Sequence, residues 1–184
     1  MTAADFFARW RVRLGYLLAV VVLFVARPTF HSILLGAAVG FVGLIIRAYA
    51  AGYLHKQEVL TVAGPYARTR NPLYFGSSLL ALGAAIAMRS SIAAALLLLY
   101  FALVYSFVMR REENELRAKH GPAFDSYAAA VPLFFPSLSA PRPRSSSDAR
   151  FSWSQYNKNH EHQAALGFLF LLLLLVVIWR IHTA

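Results

Sequence analysis

Five long apolar segments constrain the fold of this chain more than any other feature of its sequence. They lie at about residues 12–26, 32–52, 72–88, 91–109 and 164–179. A helix needs about 17–25 apolar residues to cross a bilayer, where every backbone polar group must be satisfied internally. The first and last segments are shorter, so we expect them to depend on local thinning of the bilayer or on flanking Arg and Trp side chains. The segments predict an all-α, polytopic helical membrane bundle of about five transmembrane helices built from hairpins.

The composition favours a single membrane domain over residues 1–184. Hydrophobic residues make up 59% of the chain and charged residues 14%, whereas ordinary soluble domains are about 45–50% apolar. We divide the domain into an N-terminal interfacial helix with the first hairpin (1–52), a central part with the motifs described below (53–136), a loop (137–163) and a C-terminal helix (164–184). The sequence contains no cysteine, which excludes disulfides, thiolate nucleophiles and Cys-ligated zinc.

The distribution of positive charge predicts the orientation in the membrane. All Lys and Arg residues except Arg27, Arg89 and Arg180 fall in residues 1–11, 53–71 and 110–163 or in the adjoining helix ends. Five crossings would place these stretches on one side, which the positive-inside rule makes the cytoplasmic side. The net charge is +10, but the cations form no basic stripe interleaved with aromatic residues, so we expect no nucleic-acid partner.

Local patterns indicate how the segments begin and pack. Aromatic residues at helical spacing beside Arg9, Arg11 and Arg13 favour a short interfacial helix before the first segment. Gly36 and Gly40 form a GxxxG step, and the third segment has a face of small residues, so we expect close helix packing. Residues 136–147 are rich in Pro and Ser, which is typical of an exposed linker.

A loop with turn formers and cations precedes the third segment, at residues 64–76 (Gly-Pro-Tyr-Ala-Arg-Thr-Arg-Asn-Pro-Leu-Tyr-Phe-Gly). Asn71 suits an N-cap and Pro72 the first position of a helix. The loop therefore either only starts a helix, with Arg68 and Arg70 facing lipid headgroups, or forms an anion site where these arginines lie beside the free N–H groups of the helix N-terminus. The residues fit both interpretations equally.

A second charged cluster follows the fourth segment, at residues 110–116 (Arg-Arg-Glu-Glu-Asn-Glu-Leu). Such a run is commonly a solvated extension of a helix. Its predicted place is the same membrane boundary as the first cluster, and the two clusters carry opposite charges. A zwitterionic cofactor would fit between them.

The histidines predict no metal site. His160 and His162 are two residues apart and do not share a helix face, so we expect residues 160–162 to form a solvated turn at the membrane boundary. The other histidines are scattered singly. The sequence also lacks a Walker loop and the GxGxxG, GxSxG and HExxH motifs. It therefore has none of the motifs typical of P-loop nucleotide-binding proteins, Rossmann-fold enzymes, serine hydrolases or zinc metalloproteases.

Taken in order, the two clusters resemble a family of membrane enzymes, the isoprenylcysteine carboxyl methyltransferases and their bacterial relatives, which use S-adenosylmethionine. The shared pattern is GPYxxxRNPxYxG, a helical hairpin, EExxL, a Gly, a Tyr and Val-Pro. In this chain it occupies residues 64–76, 112–116, Gly121, Tyr127 and 131–132. Asn71 stands where the eukaryotic members usually have His. The resemblance covers about residues 50–136.

The resemblance implies which residues act. The implied S-adenosylmethionine ligands are Leu60, Tyr66, Arg70, Asn71, Pro72, Leu73, Tyr74, Gly76 and Glu113. An arginine, either Arg110 or Arg111, would face the carboxylate of an isoprenylcysteine-like lipophilic substrate that enters from the bilayer. Such a carboxylate is already ionised, so its methylation needs positioning and a cationic anchor rather than a general base. The active site would face the cytoplasm at a bacterial inner membrane.

The sequence also allows functions other than the methylation of a lipid carboxylate. If the methyl acceptor were a phospholipid amine, Glu112 would be the candidate base for its proton, and a small thiol is a further possible acceptor. The RNPxY element also resembles the sterol reductases, which use NADPH, although those proteins are much longer. From a different class, the chain could be a non-catalytic scaffold whose basic face binds anionic lipid or another protein.

Overall fold

Every regular element in the described part of the chain is a helix or a helical turn. The computed structural model describes residues 3–55, 59–137 and 150–183. Its elements are α1 (Ala3–Phe24), α2 (Phe30–Tyr53), a 3₁₀ turn (Gly64–Ala67), α3 (Pro72–Met88), α4 (Ser91–Tyr100), a π turn (Phe101–Tyr105), α5 (Ser106–His120), α6 (Pro122–Ala130), α7 (Trp153–Lys158) and α8 (His162–Thr183).

The predicted helical membrane bundle is confirmed, with a different distribution of lengths. Three helices are long and apolar enough to cross a bilayer: α2, the continuous helix Ser91–His120, and α8. The apolar parts Arg13–Phe24 and Pro72–Met88 are shorter. The last segment is longer than we predicted, because α8 starts at His162 and continues through Arg180, a cation that is favourable near a helix C-terminus. α1 is one continuous helix and contains no separate interfacial helix.

Glycines set the spacing of α2 and α3, which form the closest helix pair. A Cβ atom added to Gly83 would lie 2.6 Å from the carbonyl oxygen of Gly36, and one added to Gly43 would lie 2.6 Å from that of Gly76. Only residues without side chains allow the two backbones to approach this closely. The GxxxG step and the small-residue face therefore have the predicted packing role.

The remaining long helices pack around this pair and complete an apolar core. Its buried residues come from α1, α2, α3, α4 and α8, and Val22, Met88 and Leu175 are among its fully buried side chains. Thr29 and Ser32 form a capping box at the start of α2. This core lies at the end of the bundle opposite the 64–76 loop.

Residues 150–161 dock on the C-terminal end of α2. The backbone N–H of Ser152 donates to the Gly52 carbonyl at 3.0 Å, and the Asn159 side-chain amide donates to the carbonyls of Ala51 and Leu54, each at 2.9 Å. These bonds satisfy carbonyls that a helix end leaves without partners. The predicted 137–163 loop therefore includes a docked segment with the short helix α7, while residues 138–149, and with them most of the predicted linker, lie outside the described residues.

Candidate functional site

The loop before α3 is tied to the chain that follows α6. The backbone N–H of Arg70 donates to the Pro132 carbonyl at 2.9 Å, and the Thr69 hydroxyl donates to the Phe134 carbonyl at 2.9 Å. Thr69 is buried. These bonds bring the Val-Pro end of the second motif against the RNP step of the first.

The start of α3 agrees with the prediction, but Asn71 has a different role. Pro72 is the first helical residue and Asn71 occupies the N-cap position. The Asn71 side chain makes no capping bond and instead donates to the Leu133 carbonyl at 3.0 Å. The Asn71 side chain therefore leaves the first N–H groups of α3 without a cap, and a helix N-terminus favours anions.

Two side-chain contacts join the first motif to the charged cluster on α5. The Tyr74 hydroxyl donates to Glu112 Oε1 at 2.6 Å. Arg70 Nε lies 2.8 Å from Glu113 Oε1, and the two side chains are 14% and 17% exposed. The predicted meeting of the motifs is confirmed, and the glutamates are not a solvated helix extension.

A π turn lies inside the long helix that carries these glutamates. It spans Phe101–Tyr105, and its extra residue changes the direction in which the following side chains point. The Tyr105 ring contacts the Tyr74 ring edge to face, with centroids 5.2 Å apart. The π turn therefore places an aromatic neighbour beside the tyrosine that contacts Glu112. Nothing in our sequence analysis predicted it.

Three buried polar atoms lack a hydrogen-bond partner in the described part of the chain: the Tyr66 hydroxyl, Arg70 Nε and Glu113 Oε1. The last two form the ion pair at 2.8 Å, but their angles do not meet hydrogen-bond geometry. Buried polar atoms are nearly always hydrogen-bonded, so each exception requires an explanation. All three belong to residues predicted to bind the cofactor. We call Tyr66, Arg70, Tyr74, Glu112 and Glu113 the polar cluster.

Tyr66 is held in place by its backbone while its hydroxyl remains available. Its carbonyl accepts a hydrogen bond from the Tyr127 hydroxyl at 2.7 Å. Burial raises the pKa of Tyr66 far above its usual value, the charges of Tyr127, Glu112 and Glu161 raise this pKa further, and Arg47 opposes them. The hydroxyl therefore stays protonated at physiological pH and can donate a hydrogen bond.

A largely buried ion pair that we did not predict from the sequence joins Arg47 to Glu161, next to this cluster. Arg47 Nε lies 2.5 Å from Glu161 Oε1, and Arg47 Nη2 donates to Glu161 Oε2 at 3.0 Å. Glu161 is only 7% exposed, so the prediction of a solvated turn at residues 160–162 is wrong for this residue. The physical reason is that Arg47 lies in the apolar helix α2, where a charge requires a partner.

The other predicted residues have varied surroundings. Leu60 packs on the small apolar cluster of Val62, Phe124, Tyr127 and Val131. The carbonyl of Leu73 accepts hydrogen bonds from Arg47 and Ser77.

Three further predicted residues lie away from the polar cluster. Gly76 faces α2, where an added Cβ would lie 2.6 Å from Arg47 Cγ, so this glycine allows close packing of α3 on α2. Arg110 is exposed, and Arg111 pairs with Glu115 on the exposed side of α5. Neither arginine lies in the polar cluster, where a substrate anchor was expected.

A cavity of about 590 Å³ lies on the α2 side of the loop. Its walls come from Ile46, Tyr49, Tyr53, Val62, Ala63, Gly64, Pro65, Ala67, Arg68, Thr69, Pro72, Phe75 and Pro136. Of the predicted cofactor residues only Pro72 lines it. The polar cluster lies outside this cavity and is filled by its own paired side chains. Within the described ranges, no group of three His, Asp or Glu side chains could hold a metal ion.

Comparisons with known proteins identify relatives of this chain. A family model described as "Phospholipid methyltransferase" matches residues 10–123. The nickel-cobalt-cadmium resistance protein NccN of Alcaligenes xylosoxydans xylosoxydans is 37% identical over 115 residues, which cover 61% of this chain and 52% of that protein. The cobalt-zinc-cadmium resistance protein CzcN of Cupriavidus metallidurans is 38% identical over 115 residues, covering 61% and 51%. The chain thus aligns with about half the length of these relatives. No solved structure matches it significantly.

Proposed function

This chain belongs to the phospholipid methyltransferase family, and we propose that it is a membrane methyltransferase that transfers a methyl group from S-adenosylmethionine to a lipophilic acceptor at the polar cluster. The observation that carries this proposal is the meeting of the two sequence motifs, through the hydrogen bond from Tyr74 to Glu112 and the ion pair of Arg70 with Glu113. The buried Tyr66 hydroxyl belongs to the same cluster and has no hydrogen-bond partner among the described residues.

The chemistry of the polar cluster fits this cofactor. S-Adenosylmethionine carries a carboxylate, an ammonium group and ribose hydroxyls. The Tyr66 hydroxyl, the Arg70 guanidinium and the N-terminus of α3 suit the acceptor oxygens of such a ligand. The Glu113 carboxylate suits its ammonium or hydroxyl donors. The partly buried polar cluster thus contains both a positive and a negative side chain, as a zwitterionic ligand requires.

The role of the chain's own residues is chiefly positioning. When bound, S-adenosylmethionine supplies a methyl group on a positively charged sulfur, so the reaction depends on bringing an acceptor into line with that group. Burial of Tyr66 and the Tyr105 ring beside Tyr74 would limit the access of water to the cluster.

We favour a phospholipid amine as the acceptor. Such an amine must lose a proton before it attacks, and Glu112 lies in the cluster as a carboxylate that can accept it. Arg110 is exposed and Arg111 pairs with Glu115, so neither arginine lies beside Glu112 in the polar cluster, which favours an acceptor without a carboxylate.

The second candidate is the carboxylate of an isoprenylcysteine-like lipid. Arg70 favours it, because its guanidinium lies in the cluster beside Glu113. We place the cluster on the cytoplasmic side of a bacterial inner membrane, where the positive-inside rule puts the basic loops.

A pair of tyrosine variants tests the site. Tyr66→Phe should weaken S-adenosylmethionine binding about three- to tenfold, the usual worth of one hydrogen bond, without lowering the stability of the cofactor-free protein. Tyr127→Phe removes the bond to the Tyr66 carbonyl and should lower that stability by about 0.5–1.5 kcal/mol. Calorimetric titration and thermal unfolding in detergent measure both effects. A Tyr66→Phe protein that binds like the parent would place the site elsewhere, and a parent that binds no S-adenosylmethionine would overturn the proposed function.

The acceptor is tested separately by methyl transfer from labelled S-adenosylmethionine. Detergent-solubilised protein is offered vesicles of an amine phospholipid, an S-prenylcysteine and a small thiol in parallel. We expect label in the amine lipid, and we expect Glu112→Gln to abolish this transfer while S-adenosylmethionine still binds. Label in the prenylcysteine alone would select the carboxylate acceptor.

A further inference from the structure

Most N–H donors of the Arg47 guanidinium have acceptors inside the bundle. Its Nε and Nη2 contact both carboxylate oxygens of Glu161, while Nη1 donates to the Leu73 carbonyl at 3.3 Å and to the Ser77 hydroxyl. A guanidinium has five N–H donors, and these contacts use four of them. Arg47 is therefore built into the structure rather than held ready for a substrate anion.

The contacts of Arg47 converge on the first two turns of α3. Leu73 directly precedes Tyr74, and the Ser77 hydroxyl also donates to the Leu73 carbonyl at 2.9 Å. The guanidinium thus fixes the turn from which Tyr74 reaches Glu112.

Glu161 reaches Arg47 from the other end of the chain. It lies in the turn between α7 and α8, where His160 has a positive φ of 55°. The neighbouring Asn159 fixes this turn by capping α2 at the carbonyls of Ala51 and Leu54. The carboxylate is thereby held at a defined place beside α2, 114 residues along the chain from Arg47.

We propose that Arg47 and Glu161 are positioning residues for methyl transfer: the pair holds the first turns of α3 so that Tyr74 stays on Glu112. This inference rests on the proposed function for its catalytic part. Removing Glu161 alone would leave the positive charge of Arg47 uncompensated next to the cluster.

A purely stabilising role explains the pair less well. Replacing a buried ion pair with apolar residues of similar volume is often neutral or stabilising, whereas removing one partner is strongly destabilising. The helices α2 and α3 are already held at close distance by Gly36, Gly43, Gly76 and Gly83. What the pair adds is the defined position of the Leu73 carbonyl and the Ser77 hydroxyl.

The test compares a single and a double variant. Glu161→Gln should lower the thermal unfolding temperature, because it leaves Arg47 unpaired. The double variant Arg47→Met/Glu161→Leu should regain that temperature, yet its kcat should remain about tenfold to a hundredfold below the parent, as expected for a small displacement of reacting groups. A stability device alone would give a stable double variant with parental kcat, and that result would overturn the inference.

A second readout does not depend on activity. Hydrogen exchange of the cofactor-free protein, followed by mass spectrometry, should show faster exchange in residues 72–78 of the double variant, with exchange in the rest of α2 and α3 unchanged. Unchanged exchange in residues 72–78 would overturn the positioning role whether or not the parent transfers methyl groups. The control variant Arg117→Gln/Asp125→Asn removes an exposed ion pair and should leave both kcat and this exchange unaltered.

Discussion

The hydroxyl of Tyr74 donates a 2.6 Å hydrogen bond to Glu112 Oε1, across a separation of 38 residues in the chain. Tyr74 lies in the first turn of α3 and Glu112 on α5. The bond therefore joins the two motifs directly, and it orients one oxygen of a carboxylate that we propose as a proton acceptor. Its removal should affect the reaction more than the fold.

Tyr74→Phe tests this relationship. The variant keeps the ring that contacts Tyr105 and removes the hydrogen bond to Glu112. A hydrogen bond to a charged group is worth about 1.5–3 kcal/mol, so we expect kcat/KM to fall about ten- to a hundredfold in a methyl-transfer assay. Tyr105→Phe removes a hydroxyl from the neighbouring ring and is the matched control, for which we expect less than a twofold change. Equal losses in the two variants would mean that the hydrogen bond from Tyr74 to Glu112 has no specific part in the reaction.

Glu113→Gln tests the cofactor contact. Gln keeps the shape of the side chain and removes the charge that faces Arg70 at 2.8 Å. We expect S-adenosylmethionine affinity to fall about ten- to a hundredfold, the worth of a charged hydrogen bond in a partly buried place. Because Arg70 and Glu113 are both mostly buried, we also expect a moderate loss of thermal stability. Calorimetric titration of the detergent-solubilised protein measures the affinity.

The control for this variant is Glu115→Gln. Glu115 pairs with Arg111 on the exposed side of the same helix, where ion pairs contribute about 0–1 kcal/mol. It should bind S-adenosylmethionine like the parent. If Glu113→Gln also binds within twofold of the parent, Glu113 takes no part in the cofactor site.

Much of the fold could be predicted from the sequence, because apolar length and small-residue spacing are local signals. The five segments correspond to α1, α2, α3, the continuous helix Ser91–His120 and α8. The docking of residues 150–161 could not be predicted, because it depends on contacts with the distant end of α2. The π turn could not be predicted either, since the apolar sequence of Phe101–Tyr105 is equally compatible with a regular helix.

The site was predicted only in part. The meeting of the two motifs follows from their resemblance to a known pattern, and the structure agrees. The roles of Arg110 and Arg111 depend on which face of α5 turns inward, and the π turn changes that face. A signal for the Arg47–Glu161 pair was present, because a single cation inside an apolar segment requires a partner. The sequence alone did not show that the partner was an acid 114 residues away.

Labelling of single introduced cysteines tests the orientation in the membrane. The chain has no cysteine of its own, so a variant at Ala67 or Ala118 carries one defined thiol. The positive-inside rule places both positions in the cytoplasm. In intact cells we expect no modification by a membrane-impermeant thiol reagent, and full modification after the cells are opened. A cysteine at Arg89, on the opposite side, is the positive control, and labelling at position 67 or 118 in intact cells would reverse the topology.

Gly83→Ala tests whether backbone contact sets the spacing of α2 and α3. The added Cβ would lie 2.6 Å from the Gly36 carbonyl oxygen and 2.8 Å from the backbone nitrogen of Gly40, so the two helices must move apart. Overpacking of this kind costs about 1–3 kcal/mol, which should lower the thermal unfolding temperature in detergent. Gly167→Ala is the matched control, because an added Cβ there meets nothing within 4 Å, and alanine favours a helix over glycine by about 0.5–1 kcal/mol. We therefore expect the two substitutions to shift stability in opposite directions. Equal unfolding temperatures would show that the α2–α3 contact tolerates a methyl group and that other contacts, such as the Arg47 bonds to Leu73 and Ser77, hold the helices at this distance.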